Sequence, residues 1–223
     1  MTFKMGLLSA IASPAGVKVV SETESSWPSI PPEVGRLHDL ERLTLTRAGV
    51  RSIAPELWTL PQLSELNLWQ NALSEISPDV ALLPRLRTLI LGVNPLRSLP
   101  PELGRLRTLR TLNLANCPQM DWEQALPIVC SIVSLENLAL YQNGIRRLPP
   151  EIGELRHLRT LRLFGCELTE LPEELSELRN LRELDVRANR LRQRPALPPN
   201  LERLDVTYNR IGPRGLMGSE EHG

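Results

Sequence analysis

The chain has 223 residues, enough for one sizeable domain, and its 26 basic and 26 acidic side chains give a formal net charge of zero. Nine of each sign lie up to position 100 and 17 of each after it, so neither half carries the one-sided charge of a nucleic-acid or anionic-membrane binder. No run of about 18 apolar residues is present to span a bilayer, and three widely spaced cysteines (Cys117, Cys130, Cys166) fit a reducing, cytoplasmic compartment better than a disulfide framework. Lys4 and Lys18 are the only lysines, and this arginine bias points to a GC-rich, bacterial genome.

Residues 1–16, "MTFKMGLLSAIASPAG", hold one lysine and a short apolar run that ends in small residues. They read as a leader or disordered N-terminus, with a secretory signal as the alternative. From residue 17 an internal repeat governs the chain. A degenerate copy at 17–39, with Val17, Val20, Trp27, Ile30 and Val34 at its buried positions, reads as an N-terminal cap. Eight regular copies of L-x-x-L-x-L-x-x-N/C-x-L fill 40–211, starting at Leu40, Leu63, Leu86, Leu109, Leu135, Leu158, Leu181 and Leu201. The alternation inside each motif predicts a strand with one buried face. A lone repeat cannot bury its leucines, so the copies must stack on a common core.

The linkers "IPPEVGRL" (30–37), "LPPELGRL" (99–106), "LPPEIGEL" (148–155) and "LPEELSEL" (171–178) follow the strands. Their prolines end the extended run, and the Glu and Gly after them predict short helical or 3₁₀ turns on the outer side. The ninth motif position reads Ala48, Asn71, Asn94, Cys117, Asn143, Cys166, Asn189 and Asn209. An inward asparagine there can pair backbone groups that burial would otherwise orphan. Cys117 and Cys166 take the same place and read as structural, and Cys130, in "LPIVCSIVSL", reads as buried.

The repeat at 109–134 is three residues longer than its neighbours and lacks the linker. Asp121 is placed to cap a helix with Glu123 and Gln124 in its first turn, and Pro127 fits only near the helix start or at a break. A longer outer helix bulging from the convex side is the expectation. The tail, 212–223, has little apolar content and leaves the last strand, 201–206, as an open edge. The tail itself, a longer protein or another chain would cover it, self-association through this edge among the options.

Residues 17–211 as a whole resemble a leucine-rich repeat protein. The L-P-x-E-L-G-x-L linker is similar to the 23-residue subclass of Ras-group-type intracellular proteins and of many bacterial effectors. The last step, "RPALPPNLERLDV", resembles the repeats of bacterial effector ubiquitin ligases. The resemblance implies an α/β fold: a right-handed solenoid with a parallel sheet on its concave face and short helices or 3₁₀ turns on the convex one. It also implies a non-catalytic protein–protein interaction module, a scaffold that binds a partner protein on the concave face. The alternative it raises is the substrate-recognition part of a secreted bacterial effector. In those ligases the active cysteine lies in a separate domain, so the activity is not carried over.

Motif positions 3, 5, 7 and 8 are expected to face the concave surface. Trp69, Tyr141, Phe164 and Tyr208 fall there, half of the chain's eight aromatic residues. Exposed aromatics mark interaction surfaces because they bury much area at low entropic cost. Ile90 and Val93 add apolar area, Gly92 and Ala115 leave space for something to enter, and Arg162, Asp185 and Arg187 supply a charged end for orientation. Stacking of these residues on one another is the competing reading. His38 and His157 sit in linkers and His222 in the tail, so no catalytic constellation, metal site or cofactor site is read. An enzyme using Cys130 as nucleophile is the reading from another class.

Overall fold

The computed structural model describes residues 6–212. A short helix, α1 (Leu7–Ala12), precedes β1 (Val19–Thr23), β2 (Ser29–Ile30), β3 (Arg42–Thr46), β4 (Ser52–Ile53), β5 (Glu65–Asn67), β6 (Thr88–Ile90) and β7 (Thr111–Asn113). A second helix, α2 (Trp122–Cys130), leads to β8 (Asn137–Ala139), β9 (Thr160–Arg162), β10 (Glu183–Asp185) and β11 (Arg203–Asp205). All but β2 and β4 form one nine-stranded parallel sheet in chain order, while β2 and β4 pair in a small sheet of their own. The sheet and turns are those of the expected solenoid.

The register of this sheet is the sequence period itself. Leu43, Leu66, Leu89, Leu112, Leu138, Leu161, Leu184 and Leu204 lie opposite one another from strand to strand. A slip of one residue would turn these leucines to solvent, so one buried face holds every strand in place. Parallel strands need a return run between them. Here the return carries a 3₁₀ turn: Pro32–Arg36, Pro55–Thr59, Pro78–Leu82, Pro101–Arg105, Pro150–Glu154 and Glu173–Glu177. Proline opens five of the six, where its fixed φ suits the start and its missing N–H costs nothing.

Buried backbone beside the core is satisfied by the ninth-position asparagines. Asn94 accepts from Leu73 N at 3.1 Å and donates to Leu68 O at 2.9 Å and Leu91 O at 2.8 Å. Asn143 accepts from Cys117 N and donates to Leu114 O and Leu140 O, and Asn189 repeats the pattern with Leu168, Leu163 and Val186. Each amide therefore ties its own repeat to the one before. Cys166 keeps one such contact, Sγ to Leu140 O at 3.3 Å, and Cys117 makes only long ones.

The ends depart from the period. At motif position 6 of the first copy stands Glu22, where the other repeats carry leucine or valine. Its carboxylate accepts from Leu7 N at 2.5 Å and from Trp27 Nε1 at 2.6 Å. The group thus holds the start of α1 and the indole N–H of the half-buried Trp27. Residues expected to form a leader include α1, whose Leu7 and Ala10 are buried against the core. At the other end Leu201, Leu204, Val206 and Ile211 are only partly buried, whereas Leu181, Leu184, Val186 and Leu191 one repeat earlier are at most 1% exposed. The tail expected at 212–223 falls, apart from Gly212, outside the described residues.

Helix α2 replaces a 3₁₀ turn in the convex row and packs on Pro101–Arg105 and Pro150–Glu154. Asp121 Oδ1 caps it by accepting from Gln124 N at 3.2 Å. Pro127 lies inside the helix and not, as expected, near its start or at a break. It is exposed, and the carbonyl it leaves unpaired belongs to exposed Glu123, where water can satisfy it. The opposite face buries Trp122, Ala125, Leu126, Val129 and Cys130, and that burial outweighs one lost helical bond.

Asn94→Ala leaves a buried N–H and two carbonyls without these partners and is expected to cost about 3 kcal/mol. The shift of the urea midpoint checks it, and the half-buried Asn71→Ala is expected to cost less.

Candidate interaction surface

Position 7 places one residue per repeat along the sheet at the ~4.8 Å strand spacing. Trp69 does not project into an empty groove. Its indole lies over Gly92 of the next repeat, where an added Cβ would fall 2.7 Å from Cε3 of the ring. The space expected at Gly92 is therefore filled by the tryptophan itself, and that expected at Ala115 is closed as well: Gly92 is buried and Ala115 is 0% exposed. Further along the row Tyr141 and Phe164 stack with ring centroids 4.3 Å apart and planes 10° apart. The Arg187 guanidinium caps Phe164 at 4.7 Å from its centroid. Position 7 thus carries Trp69 seated on Gly92 and, three strands on, the stack Tyr141–Phe164–Arg187, with the three aromatics half-buried.

Position 5 anchors this row from below. Asn67 Oδ1 accepts from Trp69 N at 3.0 Å, Asn113 Oδ1 from Ala115 N at 2.9 Å, Asp185 Oδ1 from Arg187 N at 3.2 Å and Asp205 Oδ1 from Thr207 N at 3.0 Å. These are the local bonds by which Asn and Asp fold backbone two residues on. The recurrence of Asn or Asp at this position is the sequence signal for them. Burial raises the Asp185 carboxyl above its ordinary value, against the pull of the Arg187 N–H and charge. The Thr207 hydroxyl and N–H lower that of Asp205. Ile90 lies half-buried in the same row.

The charged end is already paired. Arg162 reaches Glu183 at 3.2 Å, Arg203 reaches the same carboxylate at 3.7 Å, and Arg187 lies 3.6 Å from both Asp185 and Asp205. Exposed pairs of this kind contribute little each, but they fix which way the arginines lie.

Position 8 is where the chain leaves the strand. Glu24, Arg47, Gln70, Val93, Asn116, Gln142, Ala188 and Tyr208 all have φ between 51° and 59°, and Gly165 has 64°. The repeat demands a left-handed residue here whatever the side chain. Val93, half-buried, is the worst suited because a β-branched residue is strained in that region. Tyr208 is 84% exposed on the last repeat and takes no part in the stacked row.

The three thiols are buried, and burial pushes Cys117 and Cys166 up to about 11 and Cys130 up to about 12. Among the described residues no cluster of His, Cys, Asp and Glu could hold a metal ion, and no helix is long and apolar enough to cross a membrane. An open recess of about 1020 Å³, not foreseen from the sequence, lies between α2 and residues 144–149, lined by Trp122, Leu126, Ile145, Leu148, Arg146 and Arg147 among others.

Val93→Asn exchanges a strained residue for one that tolerates the left-handed region, and is expected to stabilise the fold by ~1 kcal/mol. An unchanged or lower urea midpoint would contradict it.

The profile of the leucine-rich repeat region matches residues 86–208. No curated protein matches the chain. Among solved structures, a leucine-rich repeat protein of Leptospira interrogans is 26% identical with a TM-score of 0.65, over 96% of this chain and 67% of that one. A plant peptide hormone receptor in complex with RGF2 is 25% identical with a TM-score of 0.69, over 94% of this chain. The chain spans only 35% of that receptor's length. Internalin C2 of Listeria monocytogenes, at 21% identity and a TM-score of 0.70 over 88% of this chain and 83% of its own, shares the fold. The profile covers more than half of the sequence, and the protein belongs to the leucine-rich repeat family.

Proposed function

We propose that the protein is a non-catalytic binding module that docks a partner protein on its concave face, along the row Trp69–Tyr141–Phe164. The observation that carries this reading is that each ring is braced by its neighbour in the sheet, Trp69 on Gly92, Tyr141 on Phe164 and Phe164 on Arg187. The neighbours already hold the rings in place, so docking need not freeze them, and rigid aromatic area is what binding surfaces use. Ile90 and Val93 flank the row, and the prepaired Arg162, Asp185 and Arg187 close it with a polar end, as interface rims are polar. Gly92 adds weight. It stands two residues past the end of β6 and, having no side chain, makes the seat for Trp69. The plant receptor that shares the fold is seen in complex with RGF2.

As a finer reading the chain is the recognition part of a secreted bacterial effector, supported by the 20-residue last step with its "RPALPPNLERLDV" sequence. A cytoplasmic scaffold is the other form, and fits three free cysteines.

Affinity capture with the wild type and with Trp69→Ala/Phe164→Ala, matched for thermal stability, tests the concave face. The partner is expected to be lost by the variant, with a binding deficit of at least ~2 kcal/mol, or about 30-fold. Equal capture by both would move the search to the recess beside α2. The enzyme reading rests on Cys130 and has its own test. Buried with a thiol raised to about 12, Cys130 is expected to resist a thiol reagent at neutral pH until the protein is unfolded. Rapid labelling of the native protein would revive that reading.

A further inference from the structure

We propose that a second copy of this chain pairs with the outer edge of β11, antiparallel and about a two-fold axis centred on Leu204. The inference does not depend on what the concave face binds.

The two ends of the solenoid differ. At the first, α1 closes the core, and Val20 is 0% exposed. At the last, the described residues place nothing against β11 on its far side, where Leu197, Leu201, Leu204, Val206 and Ile211 are only partly buried. An edge of this kind is a template for another strand.

The backbone shows which groups face outward. Arg203 N donates to Arg182 O, and Asp205 O accepts from Val186 N, so residues 203 and 205 turn their backbone toward β10. Backbone groups alternate along a strand, so the N–H and C=O of Leu204 point away from the sheet. Two copies meeting there antiparallel would exchange both bonds between their Leu204 residues.

That register settles the side chains. Arg203 of one copy falls opposite Asp205 of the other, twice by symmetry, on the concave side. Leu204 meets Leu204 on the core side, with Val206 and Leu201 close by. Opposite charges directly across a strand pair stabilise, and like charges there destabilise. The motif is therefore self-complementary in this orientation, as an isologous contact requires. A parallel contact between two β11 edges would reverse one sheet relative to the other, setting the concave face of one copy beside the leucine-bearing core face of its partner. Head-to-tail stacking on β1 would meet α1, which packs against that strand.

Sedimentation equilibrium of the 223-residue chain across the micromolar range tests this. The wild type is expected to dimerise. Arg203→Asp and Asp205→Arg, each placing like charges across the axis, are expected to weaken the dimer by about ten-fold or more, and the double variant R203D/D205R to restore it. Arg203 and Asp205 also pair within the chain, with Glu183 and Arg187, and only a contact between copies predicts that rescue. Should a charge variant not fold, Leu204→Cys probes the same contact. The two-fold sets its Cα atoms about 5.5 Å apart, within reach of a disulfide, and an oxidised dimer is expected. A monomeric wild type overturns the proposal. So does a dimer indifferent to both single charge variants, or a folded double variant that stays monomeric.

Discussion

Every strand residue in this sheet lies opposite the residue one repeat away in sequence. That constraint decides what each position can hold. Leucine meets leucine and fills the core. Asparagine bonds the backbone of the preceding repeat. Charges largely meet opposite charges: Lys18 with Glu41, Glu136 with Arg110 and Arg159, Glu167 with Arg146 and Arg190, Glu183 with Arg162 and Arg203. Where Asp185 lies directly opposite Asp205, Arg187 sits 3.6 Å from both. The pairs are exposed and individually weak, and where two like charges do face each other a third, opposite charge lies between them.

A periodic structure has trouble only where the period stops. At the N-terminus the solution is local: a glutamate replaces a core residue, and its carboxylate binds the amide that begins α1 and the indole of Trp27. Inside the array, three extra residues after Asn113 are absorbed by exchanging a 3₁₀ turn for α2, so the strands on either side keep their register and only the convex face changes. At the last strand neither device is seen among the described residues, and the apolar positions of β11 stay half-buried.

Much of this was legible because a period can be read without knowing the fold. Strand positions, buried leucines, the asparagine ladder and the Asp121 cap all follow from residue type and spacing. What was not legible depends on reach and on backbone shape. A glycine beside a tryptophan reads equally as a gap or as a seat, and only the ring's lean over Gly92 decides between them. The left-handed backbone at position 8 carries Arg, Gln, Val, Asn, Ala and Tyr with a single glycine among them, so composition hides it. The rule for an isolated helix puts Pro127 at a start or a break, whereas burial of the opposite face of α2 holds the helix through it. Glu22 has the look of a degenerate core position and is a polar clasp.

The stacked row also changes how exposed aromatics should be weighed. Sheet stabilisation and partner binding are usually set against each other, as if a ring satisfied by its neighbours had no further use. In a solenoid the two are linked. Tyr141 is held by Phe164, Phe164 by Arg187, and Arg187 by two aspartates. The Trp69 ring is held by the flat floor of Gly92, and its amide by Asn67. Each contact removes rotamer freedom before any partner arrives, and that freedom is a large part of what binding otherwise costs. The same stacking leaves the rings half-buried, so less area remains to gain. A row of this kind favours a partner that covers many repeats shallowly over one that inserts a side chain deeply, because the small residues Gly92 and Ala115 are themselves buried and offer no recess.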